Sequence, residues 1–97
     1  MKFQEFINQD KPILVDFYAD WCGPCQAMSP ILENLKTRIG KNASIIKIDI
    51  DKNPQAAKAF KVRSVPTFIL FKKRKAVWRK SGLITTSELE NIIRQYS

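Results

Sequence analysis

Val15-Asp-Phe-Tyr-Ala-Asp-Trp-Cys-Gly-Pro-Cys25 begins as an apolar, β-branched run and ends in two cysteines three positions apart. With Ile13 and Leu14 in front, the run reads as a strand over Ile13 to Tyr18, buried on both faces as parallel strands are, with one acid, Asp16, inside it. Behind it Pro24 opens a helix reaching Arg38, because Met28, Ile31, Leu32, Leu35 and Ile39 recur with helical period and Gly40 supplies a stop. Pro30 falls inside that helix and is predicted to kink it. The cysteines therefore straddle a strand-to-helix junction. Cys22 sits at the helix N-terminus, where unpaired N–H groups and the helix dipole favour a thiolate, and is the candidate nucleophile, expected to be exposed. Cys25, one turn further in and expected to be buried, is the candidate resolving thiol that attacks a mixed disulfide on Cys22. Pro24 starts the helix without needing a donor, and Gly23 leaves room for a partner's backbone.

Spacing alone also admits a pair of buried thiols that merely pack, or half of a metal site. Two cysteines in 97 residues are too few for a disulfide framework, and a three-residue loop adds little stability. The absence of histidine excludes Cys-His catalysis, haem ligation by His and Cys/His zinc fingers. A zinc site would need a second cysteine pair, which only a dimer supplies. Length and a 44% hydrophobic content suit one domain over residues 1–97. The longest apolar runs, Ile13 to Val15 and Thr67 to Phe71, fall far short of the roughly 20 residues of a membrane helix, so no membrane span is expected. The first eleven residues lack the apolar core and cleavage site of a signal peptide, so with Met1 as the native start the expected location is the cytoplasm.

Outward from the cysteines the chain alternates. Lys2 to Gln9, with Phe3, Phe6 and Ile7 at helical spacing, reads as a first helix closed by Pro12. Ser44 to Ile50 reads as the next strand, and Asn53-Pro54 as N-cap and first turn of a short helix through Phe60. Pro66 to Phe71 and Ala76 to Lys80 form a hairpin around Lys72 to Lys75, a tip without the usual glycine or asparagine. Thr85 and Glu88 make a capping box for a last helix, whose inner stripe is Leu89, Ile92, Ile93 and Tyr96. The order α-β-α-β-α-β-β-α predicts an α/β fold, a mixed sheet with helices on both faces.

The quoted stretch resembles the active-site strand and loop of the thioredoxin family almost residue for residue. The resemblance extends to Pro30, Lys47, Asp49, Asn53-Pro54, Val65-Pro66-Thr67 and Gly82, and so covers nearly the whole chain. It implies a thioredoxin fold. It also implies a protein-disulfide reductase that works by dithiol–disulfide exchange through a redox-active Cys22–Cys25 pair. The position of Asp16 corresponds to a buried carboxylate beneath the second cysteine that accepts its proton, and Lys47 to that acid's neighbour. Read physically, a buried acid must be protonated, partnered or used; the plain alternative is a core acid satisfied by hydrogen bonds. Pro66 corresponds to a cis proline facing the thiols, with Val65 before it pairing with an extended substrate. Trp21, Pro66 and Gly82 would border an apolar docking patch, whereas a core position is the alternative for Trp21.

The resemblance further implies that the chain binds no cofactor and no metal, and draws electrons from NADPH through a flavin-dependent thioredoxin reductase. Partners are then that reductase and disulfide-bearing proteins, with the chain a monomer. Three features depart from the family, one being the hairpin tip Lys72-Lys-Arg-Lys75 in place of a glycine-bearing turn. The chain begins at the first helix, so a four-stranded sheet is expected. The net charge is +8, with Lys72, Lys73, Arg74, Lys75, Arg79 and Lys80 as its densest cluster. That cluster is expected to be a solvated face remote from the thiols, serving solubility or acidic protein partners. Nucleic acid is not expected, because no aromatics are interleaved for stacking.

Overall fold

The structure, a computed structural model, describes Glu5 and residues 7–97. The predicted first helix therefore falls largely outside the described residues. Four strands make one sheet: β1 (Ile13–Tyr18), β2 (Ser44–Asp49), β3 (Thr67–Lys72) and β4 (Lys75–Ser81), in the order β2-β1-β3-β4. β1 pairs parallel with β2 and antiparallel with β3, and β3 pairs antiparallel with β4, so the sheet is mixed as expected.

Alternation along β1 assigns its faces. Leu14 packs with Met28, Leu32 and Leu35 of α1 (Gly23–Ile39) and with Leu89 and Ile93 of α3 (Thr86–Gln95), while Ile13, Val15 and Phe17 pack on the opposite face near Ala56 and Phe60 of the α2 (Pro54–Ala59) region. Asp16, in phase with Leu14, thus lies on the face that α1 covers. The helix α1 continues through Pro30 as one element, ending at Gly40, whose φ of 53° suits a residue without a Cβ.

Three local expectations are modified. α2 ends at Ala59, with Phe60 as its C-cap, and Asn53 stands at the N-cap without a capping side-chain bond. Its amide donates instead to the Asp49 carbonyl at 3.1 Å, because Asp49 already organises this turn. The hairpin strands each reach one residue closer to the tip than expected. They leave the two-residue turn Lys73-Arg74 with φ of 51° and 70°, the left-handed conformation a tight hairpin demands. The Thr85 cap forms as expected, its hydroxyl accepting from the Glu88 N–H at 3.1 Å.

Candidate active site

β1 delivers Tyr18 and Ala19 to the end of the sheet, and the turn beyond them places Cys22 as the N-cap of α1. The Cys25 N–H points back at the Cys22 sulfur at 3.1 Å, and the two sulfurs are joined as a disulfide. No acidic residue occupies the first turn of α1, so nothing there opposes negative charge on Cys22. Both cysteines are buried, Cys22 4% and Cys25 7% exposed, which corrects the expectation of an exposed Cys22. The cause is local packing: Tyr18, Ile50 and Val65 close around the pair. What separates the two sulfurs is their environment. Cys22 receives the helix N–H, and its sulfur lies 3.6 Å from the Val65 carbonyl oxygen.

The Val65–Pro66 peptide is cis, as the resemblance implied. The Pro66 carbonyl accepts from the Gly82 N–H at 2.9 Å, which brings the turn after β4 to Pro66, and Gly82 has a φ of 91° that only glycine adopts easily. A Cβ built on Gly23 would meet no atom within 4 Å, so that glycine is open to an incoming chain. Trp21 is 69% exposed, which rules out the core alternative, and among the described residues the other large exposed apolar side chain is Leu83.

Asp16 is 2% exposed, and its Oδ1 has no hydrogen-bond partner. Burial pushes its pKa from 3.8 up to about 6, against the opposing pull of the Lys47 ammonium. Lys47 pairs in register with Asp16 across β1 and β2, and its Nζ stands 4.7 Å from the Tyr18 ring centre. Tyr18, Asp20, Cys25, Gln26, Ser29 and Lys47 border a cavity of about 210 Å³ that gives Cys25 a polar side distinct from the Val65 side of Cys22.

The sequence reading gave no role to three sets of side-chain links. Asp51 Oδ2 accepts from the Trp21 indole N–H at 2.8 Å, and Asp49 Oδ1 holds the loop by accepting from the N–H groups of Asp51 and Lys52. The signal was there in Asp49-Ile50-Asp51 at a strand end, but which acid faced the tryptophan was not. The Thr67 hydroxyl donates to the Ser64 carbonyl at 2.7 Å; having one proton, it accepts from Ser81 Oγ at 2.8 Å, tying together the loops that carry Val65 and Gly82. Arg79 donates to the Phe60 carbonyl and, at 2.8 Å, to the Lys61 carbonyl. The expected solvated face holds, with Lys73, Arg74, Lys75, Arg79 and Lys80 all exposed, although two of these cations are tethered. Arg79 is anchored at the end of α2 and Lys80 pairs with Glu88 at 2.8 Å, because β4 lies within reach of both segments.

The sequence profile of thioredoxins matches residues 1–95. The chain belongs to the thioredoxin family. It is 45% identical over 83 residues to the chloroplastic thioredoxin Y1 of Arabidopsis thaliana, covering 86% of this chain but only 48% of that one. It is 39% identical over 93 residues to a thioredoxin of Porphyra purpurea, covering 96% and 87% of the two chains. A mutant thioredoxin from Halobacterium salinarum NRC-1 superposes with a TM-score of 0.89 at 38% identity, over 98% of this chain and 82% of that one. The chain thus spans about half the length of the Arabidopsis protein and most of the other two. Within the thioredoxin family Cys22 and Cys25 are a dithiol–disulfide redox pair, and the pair is oxidised in this structure. Among the described residues no cluster of His, Cys, Asp or Glu could hold a metal ion, and no helix is long and apolar enough to cross a membrane.

Proposed function

We propose that the protein reduces disulfides in other proteins, with Cys22 as the attacking thiolate and Cys25 as the resolving thiol. The observation that carries the reading is the Cys25 N–H aimed at the Cys22 sulfur at the start of α1, a fixed donor for negative charge at that one atom. In the reduced protein, Cys22 attacks one substrate sulfur, forms a mixed disulfide and expels the other as a thiolate. Cys25 then loses its proton to Asp16, attacks the Cys22 sulfur and displaces the second substrate thiolate. Two electrons leave the dithiol, and the Cys22–Cys25 disulfide is what remains. An acid with a pKa of about 6 on the face beneath α1 supports the role of Asp16 as acceptor, with Lys47 limiting the rise.

Trp21, Gly23, Pro24, Val65, Pro66 and Gly82 form the docking surface in this reading. It is supported by the exposure of Trp21, the open space at Gly23 and the Gly82-to-Pro66 hydrogen bond. Re-reduction by a flavin-dependent reductase drawing on NADPH, and a cytoplasmic location, complete the proposal. A chain with only two cysteines, both in one redox pair, fits a reducing compartment.

Replacing Cys25 with Ser is the test. The variant is expected to accumulate stable mixed disulfides with substrate proteins on Cys22, identifiable by mass spectrometry and released by dithiothreitol. Adducts that form only when Cys22 is replaced and Cys25 kept would reverse the assignment.

A further inference from the structure

The charge excess is not spread evenly around the thiols. β3 leaves Pro66 beside the site and ends six residues later at Lys72, which pairs with Lys75, so the hairpin tip stands roughly 20 Å of strand away from Cys22. The register of Ile13 with Phe71 brings the start of β1, and with it Lys11, to that same end. The bond from the Ser44 N–H to the Pro12 carbonyl brings the turn containing Lys41 there too. Lys11, Lys41, Lys72, Lys73, Arg74 and Lys75 make no ion pair among the described residues, whereas Glu90, an acid of α3, is taken by Arg38 and Arg94.

The tip also holds its cations against backbone preference. Lys73 and Arg74 both sit in the left-handed region, at the two turn positions where Asn-Gly is the favoured pair. Long side chains there are a local cost that a simple connection does not require.

We infer that this end of the molecule is a docking surface for a protein partner with an acidic face, held so that Cys22 remains free at the opposite end. Five of the six cations are lysines, compact hydrated charges suited to diffuse attraction, rather than the arginine forks that favour phosphate. Among the described residues the two large exposed apolar side chains, Trp21 and Leu83, belong to the thiol end, so the described part of the basic end presents no large exposed ring for a base and no apolar anchor for a bilayer. One end of the protein thus recognises through apolar contact and the other through charge.

The test compares wild type with Lys73→Asn/Arg74→Gly and with Lys58→Gln/Lys61→Asn, which removes the same charge from the α2 region. The probes are fluorescein-labelled poly-L-glutamate, a random-sequence duplex DNA, and phosphatidylserine-containing vesicles. Wild type is expected to bind polyglutamate at ~50 mM salt and to lose at least about tenfold in affinity by ~500 mM. The tip variant is expected to bind at least about fivefold more weakly at low salt, to melt no lower than wild type and to reduce insulin at an unchanged rate, while the α2 variant stays within about twofold in binding. An equal loss in both variants would reduce the effect to net charge and overturn the proposal. So would failure of wild type to bind polyglutamate, and tighter tip-dependent binding of DNA or vesicles would assign the surface to that other class of partner.

Discussion

The indole N–H of Trp21 donates to Asp51 Oδ2 at 2.8 Å, linking the turn before Cys22 to the loop after β2. Asp51 is itself held by Asp49, so a buried acid on the sheet fixes the orientation of an exposed ring on the docking surface.

Asp51→Ala should therefore leave folding nearly unchanged, since the pair is exposed, while freeing the ring. The expected result is a KM for protein disulfides raised roughly threefold or more, with kcat little altered, as follows when uniform binding is lost. The fluorescence of Trp21, followed in a Trp78→Phe background, should show faster ring motion. An unchanged KM together with a mobile ring would separate the indole from substrate docking.

Asp16→Asn should make the protein more stable at neutral pH and slower in turnover. The folded pKa is raised from 3.8 to about 6, so the favourable contribution of the protonated acid is complete below pH 3.8 and lost as pH climbs to 6. Above that window the charged carboxylate, buried and only partly offset by Lys47, costs about 2–3 kcal/mol, which the neutral amide does not. Urea denaturation at pH 7 and pH 4 should show a gain for the variant that shrinks at the lower pH. The rate of release from the mixed disulfide should fall roughly tenfold or more at pH 7.

Arg79→Ala should destabilise the protein by about 1 kcal/mol, because two carbonyls at the end of α2 lose charged donors that water only partly replaces. Lys61, at φ 54°, occupies the position after a helix where glycine is usual. The Val62 N–H closes back on Ala57 at 2.8 Å, so Arg79 clamps a turn that already carries strain. Arg79→Lys should recover only part of the loss, since one ammonium lacks the fork that reaches both carbonyls. Thermal melts and amide exchange at Val62 would measure it.

How much of this was legible in the sequence follows from the range of each interaction. The period of Met28, Leu32, Leu35 and Ile39, the Gly40 stop, the Thr85 cap and the placement of Cys22 at a helix start are local. They depend on residues within a turn or two, and the sequence alone was enough to determine them. The family resemblance likewise rests on short strings that survive as written. Asp16 could be singled out because a lone acid in an apolar run is a conflict visible without coordinates. Only the tertiary structure decided which way such groups face and what they meet. It set Asp51 rather than Asp20 against Trp21, buried Cys22 beneath Val65, and divided the basic cluster into an anchored Arg79, a paired Lys80 and a free tip. Those outcomes depend on contacts between segments 8 to 43 residues apart, whose register is fixed by sheet pairing and core packing together. No local pattern of residue types encodes that register, because the energy that selects it is shared among many side chains at once.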